Sequence, residues 1–214
     1  MGRRTFSVLG DSISTFIGCN PEGNEVFYPR TGFGVNTATQ TWWSMLADRL
    51  DLALLCNDSY SGSRVSRTGT RPPSSCYIDE RRQKRLGGDL IIVFGGTNDW
   101  GQTDQPTTLE IFAHAYRQLI EAMRERHRQS TLFFCTPLQR TDRSLTTPNA
   151  TGWTQLDLAE TVRDIVREYP DTHLIDLGAY PIRVEDELLP DGVHPNPRGM
   201  NLIASLMKAA IKGI

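Results

Sequence analysis

The run Leu90-Ile91-Ile92-Val93-Phe94 limits the fold more than any other stretch. It is apolar at every position, so both faces of a strand built from it must be buried. Four further short apolar runs, Thr5–Leu9, Leu52–Cys56, Thr131–Cys135 and Thr172–Asp176, join this third one, which starts at Asp89. They alternate with helical patterns over Thr41–Leu50, Asp79–Arg85, Thr108–Arg128 and Thr154–Glu168, and a last one from Pro197. Repeated βα units predict an α/β fold, a parallel sheet with helices on both faces and right-handed crossovers. In the long third strand–helix unit, Leu109, Phe112, Ala113, Tyr116, Leu119, Ile120 and Met123 form an apolar stripe at helical spacing. Asn196 and Pro197 suit the N-cap and first position of the last helix. Asp79–Arg85 is strongly charged and is expected to face solvent.

A chain of 214 residues is enough for one domain, residues 1–214, with one large core. The net charge of −2 gives no basic face for nucleic acid. No apolar run approaches the roughly 20 residues that span a bilayer. No signal segment stands at the N-terminus, which predicts a cytoplasmic protein if the chain is complete and a secreted one if a leader has been removed. Cys19, Cys56, Cys76 and Cys135 form no C-x-x-C pair, which speaks against a structural zinc site. Cys56 and Cys135 read as buried thiols; pairing of Cys19 with Cys76 stays open, with all four expected reduced.

The first strand runs into Gly10-Asp11-Ser12. Glycine, aspartate and serine are common turn residues, so the triplet alone is an ordinary turn. Its place at the carboxyl end of a central strand is where open α/β sheets bind ligands, and it makes Ser12 a candidate nucleophile. Asp191-Gly192-Val193-His194 precedes the last helix. With two residues between them, the carboxylate reaches Nδ1 of the imidazole and leaves Nε2 free to accept a proton from a serine. His114, His127 and His173 do not follow strand ends and are weaker candidates. Donors for a developing oxyanion are available from the Ser12 N–H, from Gly62 in the small-residue loop after strand two, and from the Asn98 amide after strand three. Gly69 is a remote alternative to Gly62, and Asp99 fits a loop-organising part better than substrate contact.

Four blocks in this order resemble the SGNH hydrolases, the GDSL esterase/lipase family: Gly10-Asp11-Ser12, Ser61-Gly62, Gly96-Thr97-Asn98-Asp99 and Asp191-x-x-His194. The resemblance implies a flavodoxin-like three-layer α/β/α sandwich with a five-stranded parallel sheet. It implies Ser12 as nucleophile, His194 as general base and acid and Asp191 as its orienter. It also implies an oxyanion hole of Ser12, Gly62 and Asn98, with no metal or cofactor. The stretch after the serine often departs from Gly-Asp-Ser-Leu in this family, and here Ile13-Ser14-Thr15-Phe16 leaves the serine intact but weakens transfer of lipase specificity.

The rim loops, 14–40 and 136–152 among them, hold or border the aromatics Phe16, Tyr28, Phe33, Trp42, Trp43, Trp100 and Trp153, whose flat faces suit sugar rings or the core. Asp11, Phe16, Tyr28 and Trp100 are the candidate substrate contacts. With no long apolar lid, the expected reaction is removal of a small acyl group, foremost O-acetyl, from a carbohydrate or other small ester. The alternatives are a lysophospholipase or thioesterase on the same triad, or a non-catalytic carbohydrate-binding module on the same fold. A dinucleotide-binding reading fails on the first turn, which lacks G-x-G-x-x-G.

Overall fold

A computed structural model describes residues 2–213. In chain order the elements are β1 (Arg4–Gly10), α1 (Trp42–Leu50), β2 (Leu52–Ser59), α2 (Glu80–Arg85), β3 (Leu90–Phe94), α3 (Thr97–Gly101), α4 (Leu109–Arg126), β4 (Thr131–Cys135), α5 (Gln155–Arg167), β5 (Thr172–Ile175) and α6 (Pro197–Lys212). All five strands are parallel in the order β2-β1-β3-β4-β5. The order reverses at β1, between β2 and β3, and this reversal opens a crevice at the carboxyl ends of the strands.

Every residue of β3 is buried. Its side chains alternate: Ile92 and Phe94 join one core with Trp42, Leu46, Ile203 and Met207, whereas Ile91 and Val93 join the other with Phe112, Leu119, Val162 and Ile165. Helices α1 and α6 therefore cover one face and α4 and α5 the other, which gives the α/β/α sandwich. The α6 start is as expected: Asn196 Oδ1 accepts from the Arg198 and Gly199 N–H groups, with Pro197 at the first turn.

Three local expectations are corrected. First, β2 runs on from Cys56 to Ser59, because the polar residues Asn57, Asp58 and Ser59 pair with Val8, Leu9 and Gly10 and are buried there. Second, residues 97–101 form the short helix α3. Third, α2 is not wholly solvent-facing. Arg82 and Gln83 are buried, and the Arg82 guanidinium reaches between β1 and β2. There its Nε donates to Asp58 Oδ1 at 2.9 Å and one Nη to the Gly10 carbonyl at 3.0 Å. A charged hexapeptide can thus lend two residues to the core when its cation meets a buried carboxylate.

All four cysteines are free thiols, so Cys19 and Cys76 do not pair. No helix among the described residues is long and apolar enough to cross a membrane.

Candidate active site

Ser12 opens a 3-10 turn, Ser12–Ser14, directly after β1. Gly10 is required there for space. A Cβ on it would lie 2.5 Å from Ser59 Oγ and 2.7 Å from Ser14 Cβ. The turn is clamped from three sides. Asp11 accepts from the Ile13 N–H, Trp42 and Trp43 donate their indole N–H groups to Ser14 Oγ and O, and Asn57 also donates to Ser14 O.

His194 enters from the segment before α6. Its Nε2 lies 2.9 Å from Ser12 Oγ, and its Nδ1 lies 2.7 Å from Asp191 Oδ2. The other oxygen of Asp191 accepts from the N–H groups of Val193 and His194, at 2.9 and 2.7 Å. Burial alone would raise the Asp191 pKa, but these hydrogen bonds to its charged form outweigh it and hold the carboxyl down to about 2. The ionised carboxylate fixes the tautomer that leaves Nε2 facing the serine. The Thr141 N–H donates to the Gly192 carbonyl and braces this segment from the 136–152 loop.

The candidate oxyanion donors lie in the loop 60–63 and at the start of α3. Residues 60–63 wrap the end of β1, with the Tyr60 N–H on the Gly10 carbonyl. Gly62 has φ +78°, a left-handed conformation that glycine adopts without penalty. Asn98 stands in the first turn of α3, and its Nδ2 donates to the Ser63 carbonyl at 2.9 Å. That bond uses one of its two amide protons and leaves the second available. Asp99 accepts from the N–H groups of Val65 and Ser66 and from the Ser66 hydroxyl. It organises the loop from beneath, as its sequence position suggested. Burial pushes both Asp11 and Asp99 up to about 6.

The four expected substrate contacts are corrected. Asp11, Phe16, Tyr28 and Trp100 are all buried, none more than 7% exposed, and their polar groups are used internally. The Tyr28 hydroxyl donates to the Pro195 carbonyl, and the Trp100 indole to the Trp153 carbonyl. Arg140 and Arg143 cover the Trp100 ring, and Phe16 packs in the core. Trp42, Trp43 and Trp153 are core as well, which leaves Phe33 the one partly exposed residue of the expected aromatic rim. Gly69 packs on the Arg64 guanidinium.

Two residues were not legible beforehand. Phe27 stacks on the His194 ring, and Gln102 donates from Nε2 to both the Gly62 carbonyl and Asn98 Oδ1, each at 3.0 Å. Gln102 thereby turns the Asn98 amide so that its NH₂ points to the Ser63 side. Buried Arg64 holds Gln102 in turn, Nε to Oε1 at 3.2 Å. A lone Gln four residues after Asn98 carries no motif; only helical i,i+4 spacing hints at the pairing.

The profile of the GDSL-like lipase/acylhydrolase family matches residues 8–202. The chain belongs to this family. Among solved structures, it resembles a protein assigned as a GDSL-like lipase from Bacteroides ovatus, with 26% identity, TM-score 0.76 and full coverage of both chains. A GDSL-like lipase assignment from Bacteroides uniformis gives 25% identity and TM-score 0.74, with 100% of this chain and 97% of that one covered. A family two carbohydrate esterase from Clostridium thermocellum, solved with cellohexaose, shares the fold at 17% identity and TM-score 0.71. That alignment covers 98% of this chain and 64% of the other. No curated protein matches the chain. As a GDSL-like acylhydrolase the chain is an ester-hydrolysing enzyme, and among its described residues no cluster of His, Cys, Asp or Glu could hold a metal ion.

Proposed function

We propose that the enzyme removes small acyl groups, foremost acetyl, from carbohydrate esters through an acyl-enzyme on Ser12. The observation that carries this reading is the continuous relay from Asp191 Oδ2 through His194 to Ser12 Oγ, with contacts of 2.7 and 2.9 Å. His194 Nε2 accepts the serine proton as Oγ bonds to the carbonyl carbon, and Asp191 stabilises the imidazolium. The carbonyl oxygen becomes negative and is met by the N–H groups of Ser12 and Gly62 and the free amide proton of Asn98. Collapse expels the alcohol, which takes the proton back from His194. Water then enters by the same path, and His194 activates it to release the acid and regenerate Ser12. No step calls for a metal.

The preference for a small acyl group on a polar alcohol is supported by the polar character of the loops beside Gly62 and Asn98, which carry Glu25, Arg71 and Gln102. At the level of fold, it agrees with the carbohydrate esterases that share this architecture. The test is the rate on nitrophenyl esters from acetyl to octanoyl, followed by a panel of acetylated sugars. The reading predicts a fall in kcat/KM with chain length. A rise would support the lysophospholipase or thioesterase alternative, and inactivity on every ester would support a binding module.

A further inference from the structure

A second feature lies beside the oxyanion loop and takes no part in the relay. Glu25, Thr70, Arg71, Pro72, Gln102 and Asp104 line an open cleft of about 340 Å³. It is continuous with the site through two contacts. Gln102 is the residue that holds Asn98 and Gly62. Arg71 lies directly against Gly62, where a Cβ would fall 2.8 Å from Nε and 3.0 Å from one terminal nitrogen. The other terminal nitrogen of Arg71 pairs with Glu25. One edge of the guanidinium is therefore anchored to the 14–40 loop, and the edge formed by Nε and Nη2 flanks the oxyanion glycine.

We propose that this cleft holds the neutral, hydroxyl-rich part of the ester and that Arg71 determines the preference for it. This deepens the carbohydrate-ester reading and rests on it. The lining mixes donors and acceptors. The Nε–Nη2 edge of Arg71 donates; the Glu25 and Asp104 carboxylates accept. A sugar hydroxyl both donates and accepts, so vicinal hydroxyls can meet an arginine fork and a carboxylate together. An anionic ligand would meet Arg71 but also the carboxylates of Glu25, paired with Arg71, and Asp104, paired with Arg64, so no net positive charge is left to hold it. A long alkyl chain would strip water from Arg71 and the two carboxylates without replacing their hydrogen bonds. The neutral polyol is the class that the whole lining accepts. Glu25 stands two residues before Phe27, so the loop that frames the cleft is also the one that packs on His194.

The experiment compares kcat/KM for mono-O-acetyl glucose or xylose with that for 4-nitrophenyl acetate, in the wild type and in Arg71→Met, Arg71→Lys and Glu25→Gln. The expected result is a sugar-to-nitrophenyl ratio at least about tenfold lower in Arg71→Met, the scale of a lost charge-assisted hydrogen bond. Arg71→Lys and Glu25→Gln should fall between it and the wild type. A wild type that prefers the sugar esters and variants whose ratio stays within about twofold of it would overturn the cleft assignment alone. Equal loss on both substrates would also overturn it, since Arg71 would then act only by supporting Gly62. A wild type that cleaves nitrophenyl acetate but no acetylated sugar would overturn both the cleft assignment and the carbohydrate reading.

Discussion

Phe27 lies face to face with His194, ring centroids 3.6 Å apart and planes within 8°. Phe33 meets the same imidazole edge-on at 6.1 Å, and the Arg30 guanidinium lies 5.0 Å from the Phe27 ring centroid. The imidazole is thus held by a carboxylate at one nitrogen and by an aromatic face along its plane. When the ring becomes cationic during the reaction, the electron-rich face of Phe27 stabilises it. Stacking of this kind is worth about 0.5–1.5 kcal/mol. Phe27→Leu should therefore lower kcat/KM on nitrophenyl acetate by about two- to tenfold. An unchanged rate, measured under the same conditions, would mean that the stack is only packing.

Asn98 and Gln102 form the second test. Asn98→Ala should slow turnover by roughly 10²–10³-fold, the usual loss for one oxyanion donor. Gln102→Leu keeps the donor but frees its orientation, so the loss should be smaller, about tenfold, and fall on kcat with KM little changed. Combining the two should cost less than the product of the single losses, because part of the Gln102 effect passes through Asn98 and only the rest through the Gly62 carbonyl. Full additivity in this cycle would show that Gln102 acts elsewhere.

The Arg82–Asp58 pair is a stability element beneath the site. Both side chains are essentially inaccessible, 1% and 0% exposed. Arg82→Met leaves Asp58 buried with the half-exposed Arg85 as its remaining cation and a long 3.5 Å hydrogen bond from Asn24. The expected cost is about 3–5 kcal/mol, read from urea unfolding. A loss below about 1 kcal/mol, the range of exposed pairs, would refute a buried pair here.

Asp99 gives a pH dependence whose sign is fixed. Burial raises its carboxyl in the folded state from 3.8 to about 6. Between those values the folded protein binds a proton that the unfolded chain does not, so this group favours folding more as pH falls. Asp99→Asn removes that titration. The wild type should therefore gain about 1 kcal/mol relative to the variant on going from pH 7 to pH 5. Urea midpoints at the two pH values measure it, and a wild-type advantage that shrinks at pH 5 would reverse the assignment. Asp191 acts in the opposite sense. Its folded value near 2 adds stability above 3.8 that is lost as pH falls through 2.

How much of this could be read from the chain depends on which forces are local. Strand–helix alternation and the N-cap at Asn196 are short-range patterns, and they located the sheet and α6. Ser12, Asp191, His194, Gly62 and Asn98 stood out because strand ends and glycine turns mark where backbone chemistry converges. What was missed depends on burial. Phe16, Tyr28 and Trp100 look like rim aromatics in sequence, yet their loops fold back and put the rings in the core. Arg82 looks like a surface charge until Asp58 is found under it. Phe27 and Gln102 act through neighbours that only tertiary packing brings to them, and no local spacing signals a ring stacked on a distant imidazole.

The central claim is that the Ser12 hydroxyl is the group that attacks the ester, and a fluorophosphonate tests it most directly. The enzyme should be inactivated with one equivalent of label, and peptide mass spectrometry should find the phosphoryl group on Ser12. Ser12→Ala should take up no label and lose ester hydrolysis while keeping its fold. Label on any other residue, or a Ser12→Ala variant that hydrolyses nitrophenyl acetate at the wild-type rate, would contradict the account.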